Sequence, residues 1–181
     1  MVRESSVHSV YLIDANDRVA WVNDAWRAFA AENGAPRLAD GVIGTSLWPY
    51  LAGAEAEAMY RVLFDRVREG RTIVVPYRCD APARMRRFEL VLTPAAAGAV
   101  ECATHVLGEW ARPTVPLLDA AIARTDEFLH MCGWCKRVDL GEWVETDEAV
   151  RRLGLFEQAS MPTITHGICP ECTDRVMAQV G

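Results

Sequence analysis

Hydrophobic and polar positions alternate with a period of two residues in two separate parts of the chain. The first part is an apolar run at 10–13, a turn cluster at 14–17 and a second apolar run at 18–22, which is typical of a β-hairpin. Three more alternating runs follow at 73–79, 88–92 and 100–106. Because alternation marks strands with one buried face, the pattern predicts two strands and, after an interruption, three more.

The interruption between the two groups of strands has helical periodicity instead. Asn23 or Asp24 can cap a first helix, which carries Trp26 and Phe29 on one face. A second helix is predicted over 54–69, where apolar residues recur every three or four positions. Both apolar stripes can be buried on one face of a single five-stranded antiparallel sheet, so the predicted fold class is α+β.

Side chains that point between this sheet and its helices are the candidate lining of a ligand pocket. Alternation turns every second residue of each strand toward the helices. Together with the helix stripes, this selects seven pocket candidates: Phe29, Tyr60, Phe64, Tyr77, Cys79, Leu90 and Cys102. We interpret the two cysteines among them as small hydrophobic residues, because buried cysteine commonly has that role.

The opposite face of the predicted sheet is also apolar. Its residues are Val74, Pro76, Val91, Ala103 and Leu107. The solvent-facing side of an antiparallel sheet is normally polar, so we expect the N-terminal segment, the C-terminal tail or a second subunit to cover it. Homodimerisation through this face is our hypothesis.

Length and charge narrow the class of protein. The 181 residues, 51% of them hydrophobic, suffice for one ordinary domain and a small appendage. The formal net charge of -6 makes general nucleic-acid binding a poor expectation. Neither a signal peptide nor a membrane span is recognisable, so we expect a cytoplasmic protein. Paired carboxylates, a nucleophile motif and a phosphate loop are all missing from the sequence, so we expect no enzymatic activity.

Two Cys-x-x-Cys pairs dominate the C-terminal part of the sequence. They consist of Cys132, Cys135, Cys169 and Cys172. Two such pairs a few tens of residues apart suit one tetrahedral metal ion, and a structural Zn²⁺ is the prediction. Binding of the metal would supply folding free energy to a segment too short to build a large core.

Other interpretations of the cysteines remain open at this point. Iron in a rubredoxin-like site is one alternative, although Lys136 and Thr173 stand where such sites place glycine. Disulfide-linked cysteines are less favoured because we expect a cytoplasmic chain, and a thioredoxin-type redox pair does not explain two matched pairs. His166 lies just ahead of the second pair. We predict that it donates a hydrogen bond to one of the metal ligands, or that it replaces one cysteine as an alternate ligand.

Two prolines at 113 and 116 mark a boundary between residues 1–110 and 111–181. In the second part, the sequence predicts a linker helix over 117–131, a hairpin over 136–146 and a helix from Thr146 that ends at Gly154. The module would be zinc-ribbon or knuckle-like. Its predicted small core around the metal is Trp134, Trp143, Leu153, Leu155 and Phe156.

The hairpin 12–23, written LIDANDRVAWVN, and the strands within 77–90 resemble a PAS domain over residues 9–107. The tail segments 131–137 and 166–172 look like a cysteine-rich extension that follows PAS-type domains in bacterial sensory proteins. The resemblance implies a sensor or interaction module with a pocket between sheet and helices. Neither haem nor flavin is expected, because the long helix lacks a histidine and the flavin-type Asn-Cys-Arg motif is absent.

These observations lead to two functional expectations. The first is a non-enzymatic bacterial signalling module that senses a small-molecule ligand or adapts a signalling protein partner, with structural zinc. The alternative is a redox- or metal-responsive switch in which the thiol cluster itself is the sensor.

Overall fold

The computed structural model describes residues 7–51 and 53–181 of the chain. Within that part, the backbone forms two β-sheets and four α-helices. The strands of the first sheet are β1 (Val7–Ile13), β2 (Val19–Val22), β3 (Ile73–Arg78), β4 (Arg84–Pro94) and β5 (Val100–Ala111). Those of the second sheet are β6 (Arg124–Cys132), β7 (Val138–Asp139), β8 (Trp143–Val144) and β9 (Met161–Gly167). The helices are α1 (Asp24–Glu32), α2 (Ala54–Arg68), α3 (Thr146–Arg152) and α4 (Pro170–Val180).

The first sheet has the strand order β2-β1-β5-β4-β3, and every neighbouring pair is antiparallel. Helices α1 and α2 follow β2 and pack on one face, where Leu63 and Phe64 meet the buried Leu90 and Leu92. The predicted α+β class, the five-stranded antiparallel sheet and the helices on one face are therefore confirmed.

Local hydrogen bonds explain how the predicted hairpin enters its helix. The Asp14 carboxylate accepts from the backbone N–H groups of Asn16 and Arg18, which closes the turn between β1 and β2. Asn23 then accepts from the N–H of Trp26 at 2.9 Å and caps α1, as the sequence predicts.

The second sheet has the order β8-β7-β6-β9, with β6 parallel to β9. The predicted hairpin and the helix from Thr146 are confirmed as β7-β8 and α3, which Gly154 ends in the left-handed conformation. The linker helix over 117–131 is wrong, because β6 occupies most of that range. Leu129 and Met131 face the small core while Phe128 is 71% exposed, so this segment alternates as a strand.

The small core also differs from its prediction. Leu155 is buried there. Leu153 and Phe156, which follow α3 in the sequence, are 39% and 50% exposed to solvent. Trp134 belongs instead to the core of the first sheet, together with Cys132. A division at residues 110 and 111 stays a prediction, and the buried cluster crosses it. Residues 1–6 of the first predicted unit lie outside the described part.

The tail covers the edge of the first sheet that β3 forms. Gln179 of α4 accepts from the N–H of Val74 at 2.9 Å and donates to its carbonyl at 2.7 Å. The N–H of Arg78 donates to the carbonyl of Trp134 at 2.6 Å. Pro76, between these two contacts on β3, has no N–H to offer, as is usual on an edge strand.

The apolar outer face of the sheet is half-buried at Val74, Pro76, Val91 and Ala103, whereas Leu107 is 44% exposed. Coverage by residues 1–6 lies outside the described residues, and homodimerisation stays a hypothesis. Among the helices that the structure describes, none has both the length and the apolar character that a membrane span requires.

Candidate metal centre

The first Cys-x-x-Cys pair forms a tight turn at the end of β6, which we call the first knuckle (residues 132–135). The N–H of Lys136 donates to the carbonyl of Cys132 at 3.0 Å, and the N–H of Cys132 donates to the carbonyl of Arg137 at 2.8 Å. Lys136 has φ = 63°, a left-handed conformation that reverses the chain into β7. The side chain of Lys136 donates to the carbonyl of Gly133 and braces the same turn.

The second knuckle (residues 169–172) joins β9 to α4. Cys169 precedes α4 and Cys172 lies in its first turn, so this pair opens a helix. Because β6 and β9 are parallel neighbours with Cys132 opposite Gly167, both knuckles lie at the same end of the sheet. The N–H of Gly133 donates to the carbonyl of Gly167 at 2.8 Å and ties the two knuckles together.

This arrangement brings the four predicted cysteines into one cluster. All four Sγ atoms lie within 4.8 Å of one another, and those of Cys135 and Cys169 are 3.6 Å apart. Four sulfurs at the Zn–S distance of a tetrahedral zinc site would be separated by roughly 3.8 Å. Since all the cysteines in the described chain are unbridged, the donor set and its spacing fit a tetrahedral metal ion.

The four sulfurs differ in their accessibility. Cys132 and Cys169 are 0% and 1% exposed, and Cys172 is 4% exposed, whereas Cys135 is half-buried. Cys135 and Cys172 line a cleft of about 380 Å³ between the knuckles and the edge of the first sheet. Solvent therefore reaches the cluster from the side of Cys135.

Charged side chains around this cleft form a network of ion pairs. Four arginines and two glutamates line it: Arg78, Arg87, Arg137, Arg175, Glu145 and Glu171. Arg137 is paired with both Glu145 and Glu171, and Arg78 is paired with Glu145 at 2.5 Å. Arg78 is also paired with Asp80, whose side chain is buried, and Arg175 is paired with Glu171, so the acidic partners neutralise most of the positive charge of these arginines.

The thiol pKa values of the cluster move in opposite directions. Hydrogen bonds from the thiols of Cys135 and Cys172, and from the N–H groups of Cys135 and Cys169, lower the pKa of Cys132. The hydrogen bond that Cys135 makes with Cys132 raises the pKa of Cys135 to about 12. The hydrogen bond that Cys172 makes with Cys132 likewise raises the pKa of Cys172. A metal must displace these protons, so its affinity will depend on pH.

His166 lies outside the group of four sulfurs. It sits on β9 opposite Met131, and burial, followed by the positive charge of Lys136, lowers its pKa. Its carbonyl lies against Gly53, where an added Cβ would be 2.6 Å from that oxygen. The backbone of His166 thus contacts the residue that precedes α2.

The knuckles dock directly on the first half of the chain. The ring of Trp134 meets that of Tyr60 edge-on at 6.1 Å between centroids. The Glu55 carboxylate accepts from the N–H of Ile168 at 3.0 Å. Both partners belong to α2, so the cysteine cluster and this helix form one packed unit.

The structure places the seven pocket candidates in different surroundings. Phe64, Leu90 and Cys102 are buried in the core, and Tyr60 packs between Phe64 and Trp134. Tyr77 lines the cleft beside the metal centre, and Phe29 lines a second cleft of about 280 Å³.

The two cysteines among the candidates have separate environments. Burial raises the pKa of Cys102 to about 12, so this thiol stays protonated near neutral pH. Cys79 is half-buried, and Arg86 approaches its sulfur at 3.8 Å.

Comparison of the chain with models of known protein families gave no match, and comparison with curated proteins gave none either. Glu55, which ties the tail to α2, and Gln179, which ties the tail to the first sheet, belong to no sequence motif that could have revealed these contacts.

Proposed function

We propose that this chain is a non-enzymatic bacterial signalling module: a PAS-type ligand sensor or protein-interaction adaptor that contains a structural zinc ion. The observation that carries the proposal is the cluster of four sulfurs within 4.8 Å of one another. Four cysteines complete the tetrahedron and leave no coordination position for a substrate, which favours a structural over a catalytic ion.

Zinc is the metal that the knuckles suit best. Thiolate ligands in tetrahedral geometry fit both zinc and iron. Lys136 and Thr173 follow the two pairs in place of glycine, which argues against a rubredoxin-like site. Zinc bound there would supply folding free energy, because it joins two turns that are 34 residues apart between Cys135 and Cys169.

The sensor or adaptor role is supported by the architecture that the PAS resemblance implies. A five-stranded antiparallel sheet carries its helices on one face, and α2 contacts the first knuckle through Tyr60 and Trp134. A ligand that moves Tyr60 would thereby alter the docking of the tail. Such a ligand would bind one arrangement of the first domain and the tail more tightly than the other, and would shift the equilibrium toward that arrangement.

Native mass spectrometry of the purified chain tests this proposal. The expected spectrum shows one zinc ion per chain, and the mass of the intact assembly reports whether the chain is a homodimer. The Cys169→Ser variant should lose the zinc, whereas Cys79→Ser, which changes a half-buried thiol outside the cluster, should retain it. A wild-type chain prepared with zinc that carries no metal would contradict the proposal.

The second candidate function is a redox- or metal-responsive switch. It is favoured by one observation, namely that half-buried Cys135 lines an open cleft while the other ligands are buried. Metal content and far-UV circular dichroism before and after mild peroxide treatment test it. A cluster that keeps its metal under these conditions is structural only.

A further inference from the structure

We propose that a hydroperoxide converts the metal centre into a disulfide between Cys135 and Cys169, which links the same two knuckles that the metal links. This inference rests on the proposed metal centre and specifies the chemistry of its oxidation.

The entry point follows from the accessibility of the ligands. Cys135 is half-buried and lines the cleft beside the first sheet, whereas Cys132 and Cys169 are 0% and 1% exposed. Cys172 shares the cleft but is only 4% exposed. A small oxidant that enters the cleft therefore meets the sulfur of Cys135 first.

The partner follows from position. Displacement at a sulfur atom is in line, so the attacking thiolate must approach from the side opposite the leaving oxygen. Cys169 Sγ lies 3.6 Å from Cys135 Sγ, and Cys169 is 1% exposed and does not line the cleft. Its thiolate is therefore placed to attack from the side away from the entering oxidant. The competing thiolate of Cys132 accepts backbone hydrogen bonds from Cys135 and Cys169, and such bonds reduce nucleophilicity.

The reaction balances without a further reagent when the oxidant is hydrogen peroxide. The Cys135 thiolate attacks one peroxide oxygen, the O–O bond breaks and hydroxide leaves, which gives a sulfenic acid. The Cys169 thiolate then forms the S–S bond and displaces a second hydroxide. Two thiolates lose two electrons and the peroxide gains them, and the two remaining cysteines no longer suffice to hold the metal.

The location of this bridge decides what oxidation does to the fold. A bridge within one Cys-x-x-Cys pair would leave the knuckles unconnected once the metal departs. A bridge from Cys135 to Cys169 crosses between β6 and the start of α4 and keeps the knuckles together. Trp134 then stays against Tyr60, so oxidation releases the metal without opening the tail.

Peptide mapping of the full-length chain tests the assignment. The zinc-loaded protein is treated with one equivalent of hydrogen peroxide, alkylated and cut with trypsin under non-reducing conditions. The first pair lies on peptide 125–136 and the second on peptide 153–175. We expect these two peptides to be cross-linked through Cys135 and Cys169, with Cys132 and Cys172 alkylated. A bridge inside either peptide, or any cross-link through other cysteines, overturns the inference.

Two further measurements keep the outcomes separate. Metal analysis before oxidation tests the zinc proposal by itself, and the peptide map decides the bridge whatever that analysis shows. The Cys79→Ser variant removes the other half-buried thiol and should give the same bridge. Far-UV circular dichroism should change less after peroxide than after chelation under reducing conditions. An equal or larger change after peroxide contradicts the retained tail.

Discussion

The contact between Trp134 and α2 offers the sharpest test of how the knuckles are held. Trp134 lies between two predicted metal ligands, is 5% exposed and meets Tyr60 edge-on. Truncation of a buried tryptophan to alanine costs about 3–5 kcal/mol, which includes the aromatic pair. Because the backbone is retained, the bond from Arg78 N–H to the carbonyl of residue 134 survives. We therefore expect Trp134→Ala to lower the free energy of unfolding by about 3–5 kcal/mol.

Urea unfolding measures this loss, and Trp21→Ala is the matched control. Trp21 is 44% exposed on β2, so the same truncation should cost roughly half as much or less. With a slope of about 2 kcal/mol per M, the Trp134 variant should shift the midpoint by roughly 1.5–2.5 M. Its zinc content should stay at one per chain, because all four cysteines remain. Equal losses in the two variants would refute the docking role of Trp134.

Three further predictions concern the contacts that position the tail. Gln179→Ala removes both hydrogen bonds to Val74 and should cost about 1–3 kcal/mol in urea unfolding, with faster amide exchange at Val74, whereas Gln158→Ala, at an exposed position, should have little effect. Gly167→Ala should cost about 1–3 kcal/mol, because its Cβ would lie 2.2 Å from His130 Nε2 and 2.6 Å from Glu55 Oε2, while Gly133→Ala, whose Cβ would meet only a carbonyl at 3.6 Å, should be tolerated. Burial opposes ionisation of Glu145, but hydrogen bonds from Arg78 and Arg137 lower its pKa below 4.5. The stabilisation from this lowered pKa is complete above pH 4.5 and is lost as the pH falls through the folded-state pKa. The wild type should thus lose more stability than Glu145→Gln in urea unfolding between pH 6 and pH 3, and equal losses would contradict this.

The elements that the sequence predicted well have short-range causes. Alternation along β3, β4 and β5 reflects one buried face, and the turn at Asp14 and the cap at Asn23 use hydrogen bonds within four residues. The cysteine cluster was predictable for a different reason, because only a few ligand sets satisfy a tetrahedral ion. Spacing within each pair carries that information without knowledge of the fold.

The failures have long-range causes. Over 117–131 the apolar residues permit a helical stripe, but pairing of β6 with β9, more than 30 residues away, selects a strand. Gln179 closes the edge of β3 across 105 residues of sequence through a single side-chain amide. Periodicity does not encode such contacts. Likewise, alternation selected inward-facing pocket candidates, yet packing put Leu90 and Cys102 in the core, while Tyr77 and Phe29 line separate clefts.

The cysteine cluster and the β3 edge of the first sheet are linked to each other through the tail. An open edge strand presents unpaired N–H groups that can pair with another chain. On β3, Pro76 offers none, and the N–H groups of Val74 and Arg78 are taken by Gln179 and by the carbonyl of Trp134. The Trp134 carbonyl lies inside the first knuckle, and Gln179 lies on α4, the helix that begins at the second knuckle. The contacts that hold the two knuckles together therefore also keep this edge closed.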